Sequence, residues 1–359
     1  MSRRLPNSLG ALAAVLAAIS LPAVSIAGQA PPAKAAAARP AAKPYTQPKT
    51  PWGDPDLQGI WNDATSTPLQ RPARLGEKGV LSAEEADVYA EELAEDLNRD
   101  RRDGGPEADV NRAYNEHWMD ARRLESTRDR RTSLITDPPD GRIPARVPPT
   151  PEVAKARALR QEAGARFVAG LPDDIEDFSL PVRCIIRTDS PPYLPTIYNN
   201  DFQIFQSPGF VVIQPEMIHS ARIIPVDGRP HLNKDLKLWL GDTRGHWEGN
   251  TLVVETTNFR KDDGVTYQNA DPDTFKIVER FTRVDAARIN YEYTVSDPKT
   301  WTKPWTAMIP WNKADGQIYE YACHEFNYDL VHLMHGSRIR QAAGETVPRA
   351  PARAGAEDR

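Results

Sequence analysis

Cysteine is nearly absent: Cys184 and Cys323 are the only two in 359 residues. They are too few, and too readily bridged, to serve as nucleophiles. Basic residues are not in excess either, since 45 Lys and Arg stand against 50 Asp and Glu, a formal net charge of −5. A mildly acidic chain without a clustered basic stripe is a poor partner for nucleic acid. Beyond Ala27 no run of about 18 apolar residues occurs, which excludes a helical membrane span from the rest of the chain. The G-x-S-x-G elbow, the Walker loop, H-E-x-x-H and G-x-G-x-x-G are all missing, so nothing indicates a nucleotide fold, a serine hydrolase elbow or a helical zinc protease. No cofactor is expected.

What is present begins with MSRRLPNSLGALAAVLAAISLPAVSIAGQA. Arg3 and Arg4 precede an apolar stretch that ends in small residues, with Ser25 and Ala27 placed as an A-x-A-like cleavage site. Residues 1–27 therefore read as a secretory signal, and the expected address is periplasmic or secreted. In that oxidising compartment Cys184 and Cys323 are predicted to pair, and closing so long a loop is worth about 4 to 5 kcal/mol on the chain-entropy argument. Two buried free thiols are the alternative. Residues 28–50 are rich in Ala, Pro and Lys with almost nothing to bury, and read as a disordered or polyproline-like tether.

From 51 to 179 the pattern is helical and loop-rich. PWGDPDLQGIWNDAT supplies Trp52, Leu57, Ile60 and Trp61 to dock the start of the fold on a sheet. LSAEEADVYAEELAEDLNRD has Ser82 and Glu85 spaced as a capping box and no Gly or Pro inside. A second helix is predicted over Val110–Glu125, and a third from the N-cap Thr150, with Pro151 at its first position, to about Ala169. Between them ITDPPDGRIPARVPPTP has too many prolines for either regular element and reads as an extended loop.

After Leu180 the period changes to two. Strands are predicted at Phe202–Gln206, Phe210–Gln214, His219–Val226, Leu238–Trp247, Thr251–Phe259, Phe275–Val284, Arg288–Ser296, Thr306–Trp311 and Ile318–Cys323. A short helix follows over 328–341, then a tail, 342–359, expected to be disordered. The fold class is mainly β with N-terminal helices: an antiparallel β-barrel, calycin-like, or a sandwich over 180–327, with the helices packed outside or over one end. Closure into a barrel is preferred because it removes the edge strands.

GDTRGHWEGNTLVVETTNF is the best-defined piece. Gly249 and Asn250 form a two-residue turn of the kind that closes hairpins. The register then sets Glu248 opposite Thr251, Trp247 opposite Leu252, His246 opposite Val253 and Arg244 opposite Glu255. Trp247, Leu252 and Val254 share the core face. His246 falls on the other face, beside an expected Arg244–Glu255 ion pair, unless a polar lumen makes that the inner side.

Chemistry could sit at a few places. Glu279 shares its strand face with Ile277 and Phe281, where a carboxylate needs a partner or a raised pKa. It is either a catalytic acid or base, or half of a structural ion pair with an arginine such as Arg222 or Arg283. Tyr291 and Tyr293 lie together on one face as pocket or core residues. His219, on an apolar face, is a core histidine or a general base. His231 lies across a turn from it, and His324 follows Cys323 on a candidate rim. His332 and His335 have helical spacing but no third ligand, so no metal site is expected.

PDLQGIW (Pro55–Trp61), RTSLITDPPDGRIP (Arg131–Pro144), GHWEGNTLVVETTNF (Gly245–Phe259), ERFTRVD (Glu279–Asp285), DPKTWTKPW (Asp297–Trp305) and YEYACHEFNY (Tyr319–Tyr328) together resemble an uncharacterised family of bacterial secreted proteins. Asn250 stands where that pattern usually has Asp, a neutral exchange in such a turn. The resemblance implies a secreted barrel-like domain and no particular activity. Two readings of function follow. One is an exported barrel that binds an apolar or aromatic small molecule, with Trp61, Trp247, Trp301, Trp305, Arg222, His231 and His324 as contacts. The other is a cofactor-independent exported lyase, isomerase or hydrolase, with Glu279 and His219 as acid or base and Tyr291 and Arg222 positioning substrate.

Overall fold

Alternating strands bury one face each, and the sheet must curl or stack to hide it. The computed structural model describes residues 45–111, 119–196, 198–218, 220–262, 264–325 and 327–347. The segment read as a secretory signal, most of the one read as a tether and the end of the tail lie outside them. The strands are β1 (Gly59–Asn62), β2 (Ile135–Asp137), β3 (Asp201–Ser207), β4 (Phe210–Pro215), β5 (Arg222–Pro225), β6 (Asp242–Glu248), β7 (Thr251–Thr257), β8 (Lys276–Asp285), β9 (Arg288–Ser296) and β10 (Trp305–Lys313). Their spatial order is β5-β4-β3-β1-β10-β9-β8-β7-β6, with β2 also beside β10.

Every neighbouring pair on that path is antiparallel. Nine strands is an odd number, so the two end strands, β5 and β6, run in the same direction. They lie side by side and nearly close the sheet into a barrel. No ladder joins them among the described residues, so side chains close the seam. Gly245 permits the approach: a Cβ there would sit 2.9 Å from Ile224 Cγ2 and 3.0 Å from Val226 Cγ1.

The interior is packed. Ile277 and Phe281 of β8, Ile289, Tyr291, Tyr293 and Val295 of β9, and Trp305, Ala307, Ile309 and Trp311 of β10 are all buried. Phe202 stacks on Trp311 at 4.4 Å, and Phe281 on Tyr291 at 4.8 Å. Tyr193, from the segment before β3, packs against Phe202, Tyr291 and Trp311. Such a barrel interior is a core rather than a channel.

Four helices accompany the sheet among the described residues: α1 (Ala83–Leu97), α2 (Gly105–Asn111), α3 (Pro151–Val168) and α4 (Asp329–Ala342). Ser82 and Glu85 form the expected capping box on α1, and Thr150 caps α3. Cys184 and Cys323 form the expected disulfide, with their Cα atoms 5.8 Å apart. It ties the segment before β3 to the one before α4. No helix among the described residues is long and apolar enough to cross a membrane.

Several expectations need correction. Gly59–Asn62 and Ile135–Asp137 are strands that flank opposite ends of β10. Both are too short to show a period. Ile318–Cys323 forms no strand, because both flanks of β10 are already taken by β9 and by β1 with β2, and Tyr319 is left 69% exposed. Leu238 makes only a single bridge, to Phe259, and β6 begins at Asp242. The predicted second helix is described only in part: α2 covers Gly105–Asn111, with Pro106 in its first turn, and a single 3-10 turn covers Asp120–Arg123. Residues 112–118 lie outside the described set. Ordered contacts also begin before Pro51, as Gln47 Nε2 donates to the Asp56 carbonyl at 2.9 Å.

The hairpin register forms as expected throughout. Gly249 takes a φ of 59°, the left-handed region that a primed turn needs at its first central residue. The Arg244–Glu255 ion pair does not form. Arg244 instead donates to Asp242 at 2.6 Å and to the Pro230 carbonyl at 2.8 Å, while Glu255 pairs with Lys276. His246 stays exposed beside Glu248 at 3.1 Å.

Candidate functional site

Alternation along β8 turns Glu279 into the apolar interior, where an unpaired carboxylate is strongly disfavoured. Arg222, from β5, meets it with both terminal nitrogens: Nη1 donates to Oε1 at 2.9 Å and Nη2 donates to Oε2. Nη2 also donates to Thr256 Oγ1 at 2.7 Å, and Nε to Thr243 Oγ1 at 3.3 Å. Tyr291 Oη donates to Glu279 Oε1 at 2.9 Å and accepts from the Tyr193 amide at 3.1 Å. Arg222 is 3% exposed and Glu279 0%.

Burial alone would lower the pKa of Arg222, but Glu279 and Tyr193 together more than offset it, so the guanidinium is held above its ordinary value. Burial pushes the Tyr193 hydroxyl up to about 12, and the Tyr291 hydroxyl well above the usual range. The arrangement is therefore the ion pair foreseen as one alternative for Glu279, with Arg222 rather than Arg283 as partner. Arg283 donates instead to the carbonyls of Asp56 and Ala286.

The other sequence candidates are scattered. Trp301 and Trp305 are fully buried and meet each other at 6.1 Å. Trp61 is equally buried but packs under Arg283, near the far end of β8. Trp247 is half-buried beside the hairpin turn. The four tryptophans thus do not share one site. His231 Nδ1 lies 2.6 Å from Asp242 Oδ2, with Nε2 3.5 Å from Glu255 Oε1. His324 is exposed next to the disulfide. His219 lies outside the described residues.

A buried acid that the pattern did not reveal is Asp63, just after β1. It is 0% exposed, and neither carboxylate oxygen has a hydrogen-bond partner among the described residues. Burial, then the charges of Asp120 and Asp201, push its carboxyl well above the ordinary range. Its neighbours are better provided for: Asp201 accepts from Arg123 at 3.0 Å and from Asn62 at 2.8 Å, and Asp120 accepts from Asn200 at 2.8 Å. Among the described residues no group of three or more His, Cys, Asp or Glu is arranged to hold a metal ion.

Open space lies elsewhere, at one mouth of the barrel. The β7–β8 connection (258–275) and the β9–β10 connection (297–304) emerge there, and Asp297 pins them together. Its carboxylate accepts from the Asp271 amide at 2.8 Å, from Thr274 Oγ1 at 2.6 Å and from the Lys299 amide at 3.0 Å. The β7–β8 loop also braces itself, with the Gly264 amide donating to Asn269 Oδ1 at 2.7 Å and Thr266 Oγ1 to the Ala270 carbonyl at 2.7 Å.

Three adjoining cavities of about 420, 230 and 430 Å³ surround this loop, and all have Asn269 in their walls. The first lies between the loop and the start of α3, the second against Pro191, Pro192 and Tyr267, and the third between the loop and Phe167 and Phe178. Behind Tyr267 stand Trp301 and Trp305. The Tyr293 hydroxyl and the indole N–H groups of Trp301 and Trp305 make no hydrogen bond among the described residues. Neither Glu279 nor Tyr291 lines any of these cavities.

The wall residues escaped the sequence reading because helix α3 and two remote loops bring them together. The spacing of Arg157 and Arg160, three apart on one helix, was the available signal. No protein-family model matches this chain, and no curated protein matches it.

Two outcomes are expected. Glu279→Gln leaves a charged arginine buried against a neutral amide and should cost about 3 to 5 kcal/mol in chemical denaturation. Removing both charges, as Arg222→Met with Glu279→Met, should recover a large part of that loss. A loss below about 1 kcal/mol for the single variant would contradict the buried-pair account. The second concerns pH. Because the folded-state pKa of Asp63 is raised, its contribution to stability is full below the unfolded value of about 4 and is lost as pH rises toward the folded value. Asp63→Asn cannot ionise, so its stability relative to the wild type should improve over the window that opens at about pH 4 and runs upward toward the raised folded value. A difference that stays constant across that window would count against the raised pKa.

Proposed function

We propose that the protein is an exported, calycin-like binder of a small molecule with an apolar or aromatic body, and that its site is the cleft at the barrel mouth. One observation carries this reading: side chains fill the lumen, while the mouth keeps cavities of about 420 and 430 Å³. That size suits a small organic ligand. The walls fit an apolar body, with Pro148, Pro149 and Val153 in the first cavity and Phe167 and Phe178 in the third. Hydrogen bonds accepted by Asp297 and Asn269 hold the loops in place before any ligand arrives, which lowers the entropy lost on binding. The disulfide suits an oxidising compartment outside the cytoplasm.

The acid/base reading has less support. A general base must come within about 3 Å of the proton that it takes. Both oxygens of Glu279 are engaged by Arg222, and one also by Tyr291, inside a packed core.

Native mass spectrometry of the protein purified from the cells that make it tests the proposal. A discrete extra mass that disappears on denaturation is expected. It should be lost in Val153→Trp, which fills the first cavity from α3, with little change in denaturation midpoint. An extra mass that persists in this variant would move the ligand elsewhere. No extra mass, together with no ligand-induced stabilisation across a set of small aromatic compounds, would overturn the reading.

A further inference from the structure

Taking the mouth cleft as the ligand site, we infer that its ligand is an organic anion, with a carboxylate, sulfate or phosphate head against Arg157 and a flat apolar body along the neighbouring prolines. The chain carries a net charge of −5, yet the first cavity is lined by four cationic side chains and only two carboxylates. Both carboxylates are already engaged: Asp271 with Lys299 at 3.0 Å, and Asp262 with Arg260 at 2.6 Å. Lys261 has Asp273 at 2.8 Å.

Arg157 is different. It is half-buried on the cleft side of α3, and among the described residues it makes no ion pair or hydrogen bond. Its charge acts on another cation, Arg146. Arg146 donates to the carbonyl and side chain of Gln268 at 3.0 and 2.8 Å, stands 5.9 Å over the Trp301 ring, and has no carboxylate partner among the described residues. Burial first, and then the charge of Arg157, lower the pKa of Arg146. Arg146 lies outside the cavity wall, but its charge and that of Arg157 repel, and an anion bound at Arg157 would offset that repulsion.

The chemistry of the head group follows from the residue type. Arginine presents a planar fork that matches carboxylate, sulfate and phosphate oxygens, with a stronger bond than a neutral donor would give. The body follows from Pro148, Pro149 and Pro298, whose rings offer apolar wall and no amide donor. A volume of about 420 Å³ lies in the range that suits a small molecule.

The test uses the full exported protein with its disulfide intact, titrated calorimetrically with matched aromatic pairs: benzoate against benzamide, and 2-naphthoate against 2-naphthamide. Inorganic phosphate is the third probe. The carboxylates should bind at least about tenfold more tightly than their amides, with an affinity that falls as salt is added. Arg157→Gln should weaken the carboxylates by about tenfold and leave the amides unchanged. Equal binding of acid and amide, unaffected by Arg157→Gln, overturns the inference but leaves the small-molecule reading standing. Binding of phosphate as tightly as naphthoate removes the apolar body from the proposal. Failure of every aromatic probe to bind overturns the cleft reading itself, and the anion with it.

Discussion

One buried ion pair spans the seam at which this barrel nearly closes. An antiparallel path of nine strands cannot close on an antiparallel seam, and β5, with only four residues, offers little ladder to its neighbour. Arg222 compensates by reaching from β5 to Thr243 on β6, Thr256 on β7 and Glu279 on β8, with Tyr291 of β9 bonded to the same carboxylate. Desolvating two charges is costly, and such a pair is weak evidence for net stability against a well-packed apolar alternative. Its value is geometric, because only a long, multiply donating side chain can tie four strands across a lumen. Gly245 contributes the absence of a side chain where β5 and β6 come closest.

The packed lumen decides where function can reside. Tyr193 and the aromatic side chains of β9 and β10 occupy the space that a hollow barrel would leave for a ligand, and the Arg222–Glu279 network spends the polar groups that would otherwise orient one. Two cavities, of about 420 and 430 Å³, open instead at the mouth, where α3 and two loops meet. Those loops are tied by Asp297, and the segment that carries Tyr193 is tied to the C-terminal region by the disulfide. On the proposed reading the packed barrel is a scaffold, and the ligand site sits among the loops above it, as is usual for binding sites.

Much of this was legible in the sequence, for physical reasons that differ by element. Strand β9 coincides residue for residue with its sequence reading, because RINYEYTVS alternates without interruption and ends at a Ser-Asp-Pro stop. The hairpin register followed from a two-residue turn, and the caps of α1 and α3 from side chains that bond their own first turns. Glu279 was readable as a buried acid in need of an arginine. The tryptophans were not readable as a site, since an indole buries equally well in a core and in a pocket. Asp63 gave no signal, because its burial is set by the fold, and the charges that add to the rise of its pKa, Asp120 and Asp201, lie far away in the chain. The cleft residues were equally silent, as Arg157, Asn269 and Lys299 meet only after folding.

Native-state hydrogen exchange on the wild type and on the charge-free Arg222→Met, Glu279→Met variant tests the central claim most directly. If the pair closes the seam, protection should fall at Arg222–Pro225 and Asp242–Glu248 while the β8–β9 hairpin keeps its own. A uniform loss across the sheet, or no loss at the seam, would contradict it and show that packing alone closes the barrel.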